Sequence, residues 1–177
     1  MQLREVDADP GVLRDNVEVR DAPIAIRSIR TDEEAQVFER LNLAWISELF
    51  MLEAADRHAL GDPFGSIVEP GGDVLVASSE DRIVGCAALI PAAEGVFELS
   101  KMAVDAAERG RGIGRKLLGA ALERARELGA TSLFLVSNSR LAPALGLYES
   151  VGFRHVPAHE IGSVHYERAD VFMKLQV

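Results

Sequence analysis

VDAAERGRGIGRKLL, residues 104–118, is the most informative stretch of this chain. A strand-like run ends at its start, a turn with three glycines follows, and an amphipathic helix then begins. Glycines at such a junction let a ligand approach the backbone and leave the first N–H groups of the helix open. With the helix dipole and nearby arginines, these groups suit a phosphate; the alternative is a turn flanked by solvated arginines. The residues of this predicted anion site are Arg109, Gly110, Arg111, Gly112, Ile113, Gly114 and Arg115.

The spacing of the glycines excludes two common phosphate-binding loops. A dinucleotide-binding G-x-G-x-x-G would need glycine where Arg115 or Leu117 stands, and the G-K-[ST] of a P-loop does not occur. The pattern [Q/R]-x-x-G-x-[G/A] does fit, as Arg109-x-x-Gly112-x-Gly114. This segment resembles the pyrophosphate loop of the GNAT superfamily of acetyl-CoA-dependent N-acetyltransferases.

A second motif strengthens the resemblance. Residues 144–153 read A-x-x-L-Y-E-x-x-G-F, which resembles the A-x-x-L-Y-x-x-x-G-F helix of that superfamily. In isolation this segment predicts only an amphipathic helix with a packed tyrosine. Its place about 30 residues after the first motif, across a predicted helix and strand, makes the combination informative. Together with the E-L-x-K-M-A-V strand at Glu98–Val104, it is similar to a bacterial subgroup of the superfamily.

Composition indicates one globular domain. The chain has 177 residues, 48% of them hydrophobic and 27% charged, and no apolar run long enough to span a bilayer. Its net charge of −9 argues against nucleic acid or an anionic membrane as a partner. Cys86 is the only cysteine, so we interpret it as a buried core thiol of a cytoplasmic protein. The four histidines form no convincing metal-ligand set, so no metal site is predicted.

The order of predicted elements agrees with the motifs. A strand from Ile24, two helical stretches, three antiparallel strands, the motif helix, a strand, a second helix and one or two closing strands follow one another. This order predicts an α+β fold, which the resemblance specifies as the GNAT fold. That fold is a mixed, mostly antiparallel sheet of six to seven strands flanked by about four helices. Residues 1–22 are predicted to be an N-terminal extension and residues 23–177 the acetyltransferase domain.

Acetyl transfer to an amine needs a proton acceptor, and the leading candidate is Glu98. The resemblance places it at the position of the general-base glutamate of the histone acetyltransferase branch. Strand parity predicts that Glu98 shares a face with Ser100, Met102 and Val104. Many relatives also carry an acidic residue on the following strand, where this chain has Val136. The alternatives are a half-exposed structural glutamate at position 98 and proton transfer to bulk water.

The resemblance also suggests roles for residues around the cofactor. Tyr148 would lie beside the cofactor sulfur and donate a proton to the departing thiolate, a nearly balanced transfer for ordinary pKa values of ~10 and ~8.5. The backbone N–H groups of Met102, Ala103 and Val104 would bind the oxyanion and pair with the pantetheine arm. Asn138 would contact the same arm, or would instead cap the next helix.

Substrate selection is expected from the more variable segments. Trp45 in the first helix, together with Glu53 and Asp56 after it, could contact the acceptor, and the two carboxylates could attract a cationic one. The alternatives are a core tryptophan and a solvated acidic helix face. The segment 159–168 before the last strand is a further candidate.

These features together predict an enzyme. It would transfer an acetyl group from acetyl-CoA to a primary amine by direct attack through a tetrahedral intermediate. A small-molecule amine is favoured over a protein N-terminus or lysine, so the expected partner is an amine or peptide substrate. A homodimer is left open, and a non-catalytic acyl-CoA-binding sensor is the competing interpretation. The presence of both Glu98 and Tyr148 favours the enzyme.

Overall fold

A seven-stranded sheet runs through the part of the chain that the computed structural model describes, residues 22–162 and 166–177. Its strands are β1 (Ile24–Ser28), β2 (Asp73–Ser79), β3 (Arg82–Ala93), β4 (Val96–Val104), β5 (Ser132–Ser137), β6 (Arg154–His155) and β7 (Val171–Gln176). They lie in the order β1-β2-β3-β4-β5-β7-β6, with neighbours antiparallel except for the parallel pair β4 and β5. The predicted α+β fold is therefore confirmed. Apart from Ala22, the predicted N-terminal extension lies outside the described residues.

Helices cover both faces of the sheet. They are α1 (Asp32–Leu49), α2 (Ala54–Gly61), α3 (Ile113–Glu127) and α4 (Ala142–Ser150), with one π-helical turn at Phe64–Val68 that was not predicted. Leu117, Leu118 and Ala121 of α3 belong to the buried cluster on one face, and Phe38 and Ile46 of α1 belong to the cluster on the other. Burial of each leucine, isoleucine or phenylalanine among them contributes about 1.5–3 kcal/mol. Among the described residues, no helix is long and apolar enough to cross a membrane.

The motif helix α3 begins and ends at glycines in the left-handed region. Gly112 is its N-cap with φ +73°, and Gly129 follows its last turn with φ +83°. The Gly129 N–H donates to Arg126 O at 3.0 Å, and the Ala130 N–H donates to Ala125 O at 2.9 Å. These bonds satisfy carbonyls at the end of the helix, which therefore ends before Gly129.

Strand β4 carries a bulge that the sequence pattern does not reveal. Cys86 of β3 lies opposite Ala103, but Ala88 lies opposite Ser100, so β4 has one extra residue between these pairs. Within this interval Lys101 has φ +51°, a conformation that costs a non-glycine residue about 1–3 kcal/mol. The extra residue changes which side chains of β4 share a face.

The predicted facing of the β4 side chains is therefore wrong. Glu98 pairs with Ile90, whose side chain packs with the cluster under α1. Met102 and Val104 pack instead against the cluster under α3. Because the bulge reverses the alternation, Glu98 and Ser100 lie on the opposite face of the sheet from Met102 and Val104.

Beyond the bulge, β4 and β5 separate. They pair only from Val96 to Glu98 of β4, opposite Ser132 to Phe134 of β5. Further along, β4 remains paired with β3 and β5 remains paired with β7. The two central strands therefore form an opening whose inner edges carry backbone groups available to a ligand.

Candidate active site

A cavity of about 440 Å³ occupies the opening between β4 and β5. Its walls come from five segments of the chain: the end of α1, the second half of β4, Arg109 of the glycine-rich loop, the stretch from the end of β5 into α4, and the loop before β7. Tyr148, Asn138 and Trp45, all predicted site residues, line this cavity. A large pocket with a few convergent polar groups is the usual form of a small-molecule site.

The glycine-rich loop has the geometry of an anion site. Gly110 and Gly112 have φ +84° and +73°, and a Cβ built at either one would meet no atom within 4 Å. The backbone is therefore open on this side. The N–H groups of Ile113, Gly114 and Arg115 lie in the first turn of α3, where no helical carbonyl can pair with them. The Ile113 side chain is buried, so only its backbone N–H is available.

Gly114 has a different role from the other two glycines. A Cβ at this position would lie 3.4 Å from Leu147 Cδ2 of α4 and 3.6 Å from Met102 Cε of β4. Its small size therefore allows α3, α4 and β4 to approach one another at the cavity.

The three arginines of the loop are not equivalent. Arg111 is half-buried, pairs with Glu108 and donates to Ala22 O at 3.0 Å, while Glu108 also pairs with Arg82. Arg109 and Arg115 are exposed, and Arg109 lines the cavity. Arg111 thus holds the loop in place, whereas Arg109 and Arg115 are accessible to a phosphate.

The open edge of β4 presents a backbone donor to the cavity. The Asp105 N–H donates to Val84 O of β3 at 2.9 Å. Successive residues of an antiparallel strand direct their N–H groups to opposite edges. The Val104 N–H therefore points toward the side that β5 has left, and the Ala103 N–H points toward β3. Of the predicted backbone donors, Val104 has the suitable direction, while Met102 contributes a cavity-lining side chain.

Tyr148 points from α4 toward β4. Its hydroxyl lies 3.9 Å from Met102 Sδ, and its ring packs edge-on against Phe153 at 5.9 Å between centroids. Burial raises the pKa of Tyr148 to about 12. Full transfer of its proton to a thiolate with a pKa of ~8.5 is then uphill by about 5 kcal/mol, at ~1.4 kcal/mol per unit. A phenol with this pKa favours hydrogen-bond donation over full proton transfer, and the catalytic role of Tyr148 stays a prediction.

Glu98 lies at the last residue pair before β4 and β5 separate, opposite Phe134. Its side chain is half-buried and close enough to Tyr166 for its charge to act on that phenol. Glu98 therefore lies on the face of the sheet that α1 covers, whereas Tyr148 lies on the face that α3 covers. The two predicted catalytic side chains therefore lie on opposite faces of the sheet.

Asn138 has the alternative, structural role. Its Oδ1 accepts from the Arg140 N–H at 2.9 Å and caps the short turn Ser139–Leu141, and its Nδ2 donates to Arg168 O at 2.7 Å. These bonds join the end of β5 to the loop before β7. Asn138 thus shapes the cavity wall, and a contact with the pantetheine arm stays a prediction.

The carboxylate of Asp56 is part of a buried ion-pair network. Its side chain is fully buried; Lys101 Nζ donates to Oδ1 at 2.6 Å, and Arg168 donates to both carboxylate oxygens at 2.7 and 2.8 Å. Arg168 also pairs with Glu53 at 3.0 Å, and Lys101 donates to the Tyr166 hydroxyl at 2.8 Å. Asp56 is therefore neither on a solvated helix face nor accessible to an acceptor, which corrects both interpretations of this residue.

This network contains three cavity residues: Lys101, which the sequence analysis assigned no role, and Tyr166 and Arg168, which belong to the candidate segment 159–168. The sequence contains one indication that Lys101 is unusual, because it is the only basic residue in the predicted strand 96–104. A buried lysine needs a counter-ion, but no pattern identified Asp56 as its partner.

Removing the shared carboxylate should destabilise the protein strongly. Asp56→Ala leaves Lys101 buried without its counter-ion, so we expect the free energy of unfolding in urea to fall by about 3–5 kcal/mol. Glu127→Gln removes the exposed partner of Arg124 and should cost less than about 1 kcal/mol. Equal small losses in both variants would contradict the structural role of the network.

The same network predicts acid sensitivity. Burial alone would raise the pKa of Asp56, but hydrogen bonds from Arg168 and Lys101 outweigh it and hold the pKa at about 2. The folded pKa lies below the unfolded value of ~3.9, so the contribution is complete above that value and is lost as pH falls toward 2. We expect a loss of about 2 kcal/mol in this window for the wild type. A variant Asp56→Asn, measured in parallel, should lack this component of the pH dependence.

Trp45, a candidate acceptor contact, lies in the last turn of α1 and is not a fully buried core residue. It is half-buried, its Nε1 donates to Asn42 Oδ1 at 3.4 Å, and it packs edge-on with Phe50 at 6.4 Å between centroids. Both aromatic residues line the cavity.

Cys86 is buried, as predicted, and burial raises the pKa of its thiol to about 12. Among the described residues, no cluster of three metal-ligating side chains occurs.

Comparison with known proteins identifies relatives of this architecture. The uncharacterized N-acetyltransferase YjgM of Escherichia coli K12 is 31% identical over 119 residues, which cover 63% of this chain and 71% of that protein. Human N-acetyltransferase 8B is 33% identical over 91 residues, 49% of this chain but only 40% of that longer protein.

Solved structures show the same fold at lower identity. A GNAT-family acetyltransferase from Staphylococcus aureus Mu50 has a TM-score of 0.79 at 20% identity, covering 87% of this chain and 99% of that one. The yncA structure from Salmonella typhimurium, solved with acetyl-CoA, has a TM-score of 0.66 at 22% identity, covering 86% and 93%. A family model described as the Acetyltransferase (GNAT) family matches residues 26–153. The chain therefore belongs to the GNAT acetyltransferase family.

Proposed function

We propose that this protein transfers the acetyl group of acetyl-CoA to the primary amine of a small molecule. The observation that carries the proposal is the convergence of three features on one cavity: Arg109 of the loop that leads to the open N–H groups of α3, the free edge of β4 at Val104, and Tyr148. A phosphate-bearing thioester needs all three. The acetyl-CoA bound in the Salmonella relative supports the choice of donor.

The fit to the donor follows from the backbone. The loop from Arg109 to Arg115 would hold the pyrophosphate through N–H groups and exposed guanidinium groups. The pantetheine arm would lie along the open edge of β4, where its amides could pair as an added strand does. The thioester carbonyl would then lie near the Val104 N–H, which would stabilise the negative charge that develops on oxygen.

Besides this positioning, the reaction needs a group that accepts a proton from the amine and a group that stabilises the departing thiolate. The neutral amine attacks the thioester carbon, a C–N bond forms, the C–S bond breaks, and CoA leaves with the sulfur electrons. We assign Glu98, directly or through water, to accept a proton from the bound ammonium group, which makes the attacking amine neutral. The proton that nitrogen loses after the attack passes to solvent. Because the pKa of Tyr148 is about 12, its phenol stays protonated and would stabilise the departing thiolate by a hydrogen bond.

The role of Glu98 predicts a pH-dependent defect. A primary amine with a pKa of ~10 is mostly protonated near neutrality and needs a base most there. Glu98→Gln should therefore lower the rate most at low pH, and the ratio of wild-type to variant rates should shrink as pH approaches the pKa of the amine. Glu94→Gln, a change at an exposed position on the turn before β4, is the matched control and should leave the rate unchanged. A Glu98→Gln ratio that stays flat with pH would indicate a structural glutamate.

Amine-dependent release of CoA tests the proposed function itself. Acetyl-CoA is mixed with the protein and with panels of small amines, lysine peptides and peptides with free N-termini, and released thiol is followed. Faster release with small amines than with peptides supports the proposal. Tight binding of acetyl-CoA without amine-dependent release would favour the sensor instead.

A further inference from the structure

The cavity is cationic in a chain that is acidic overall. Against a net charge of −9, the described residues that line the cavity include Lys101, Arg109, Arg140 and Arg168 but only one acidic residue, Glu48. This arrangement opposes the idea that acidic residues draw a cationic acceptor into the site. It indicates that some ligand group bound here is anionic.

Three of the four cations already have a partner or a location that explains them. Asp56 pairs with both Lys101 and Arg168, and Glu53 also pairs with Arg168. Arg109 belongs to the glycine-rich loop at the other end of the cavity. Arg140 alone among these four has neither a paired carboxylate in the described structure nor a place in that loop.

Arg140 lines the cavity beside the end of α1. It lies in the turn that Asn138 caps, and its Nη1 donates to Leu49 O at the end of α1 at 2.8 Å. Its guanidinium carbon lies 5.2 Å from the centroid of the Phe50 ring. These contacts use one of five N–H donors and fix the plane of the group. The remaining donors suit a carboxylate, which a guanidinium can bind with two parallel hydrogen bonds.

We propose that Arg140 binds a carboxylate of the acceptor, so that the acceptor is an amino acid or another amine that carries a carboxylate. The inference rests on the proposed acetyl transfer and names its substrate class. Phe50 and Trp45 would pack on the hydrocarbon part of such a molecule. The amine end would then reach the thioester while the carboxylate stays at Arg140.

The test compares each common α-amino acid with its own α-amide. Rates are referred to the concentration of free amine, because the two forms differ in amine pKa. The wild type should use the acid at least ~10-fold more efficiently, by kcat/KM, for the preferred members of the panel. Arg140→Gln should lower kcat/KM for these acids about 10–100-fold and change it less than about 3-fold for the amides. Arg126→Gln, an exposed arginine at the end of α3, is the matched control and should change neither value.

Other outcomes overturn the proposal in distinguishable ways. An equal loss for acid and amide in Arg140→Gln would mean that Arg140 only ties the turn to the end of α1. Efficient use of amides but not of acids by the wild type would refute carboxylate recognition and leave the acetyl transfer standing. Binding of acetyl-CoA with no turnover of any amine would refute both proposals.

Discussion

Tyr148→Phe is expected to lower kcat by about 10²–10³, the cost of removing one hydrogen-bond donor to a charge that develops in the transition state. The substitution keeps the ring that packs against Phe153 and removes only the hydroxyl near Met102 Sδ. Affinity for acetyl-CoA, measured by calorimetry, should change little because the loop at the start of α3 is intact. Because the pKa of Tyr148 is about 12, the ratio of wild-type to variant kcat should stay constant from about pH 6 to 10.

Two results would contradict this role for Tyr148. Full activity of Tyr148→Phe would show that the departing thiolate needs no donor from α4. A ratio that falls as pH rises through the range of an ordinary phenol would show that the hydroxyl ionises during catalysis. Phe153→Leu, which removes the aromatic partner but keeps the hydroxyl, is the control for ring packing and should affect kcat much less.

Gly112→Ala is expected to weaken acetyl-CoA binding by about 100-fold or more. Gly112 has φ +73°, which a residue with a Cβ adopts at a cost of about 1–2 kcal/mol. Relief of that strain would turn the N-cap and rotate the first N–H groups of α3 away from the phosphate. Calorimetric titration with acetyl-CoA measures the loss directly.

The matched control is Gly129→Ala at the other end of the same helix. Gly129 has φ +83°, and a Cβ there also meets no atom within 4 Å, so the two variants pay a similar conformational cost. Gly129 lies at the opposite end of α3 from the glycine-rich loop, so its variant should lose stability but keep its affinity for acetyl-CoA. Equal affinities in the two variants would remove the glycine-rich loop from the binding site.

Much of the fold could be predicted because its signals are local. Helix α3 has an apolar stripe and a glycine at each end, and β2 and β3 are apolar runs on either side of a polar turn. The two-residue strand β6 is too short for any period, and the π-helical turn has no period of its own in the sequence. These short elements can be assigned only when the tertiary structure is known.

The site could be predicted only in part, because its decisive features are non-local. The left-handed conformation of Lys101 has no signature in a run of strand-forming residues, yet it reverses the face of everything after it. The partner of Lys101, Asp56, is 45 positions away in sequence, and Arg168 is 112 positions from Asp56. Arg140 likewise could not be recognised as a candidate from the sequence, because the fold alone places the end of α1 beside it.

The most direct measurement is mass spectrometry of the acceptor after incubation with isotope-labelled acetyl-CoA. The labelled acetyl group should appear on the amine nitrogen of the acceptor in amounts equal to the CoA released, and Tyr148→Phe should slow both signals together. Release of CoA with the label recovered as free acetate would show hydrolysis in place of transfer. Such a result, or bound acetyl-CoA that no amine consumes, would contradict an N-acetyltransferase built on the opening between β4 and β5.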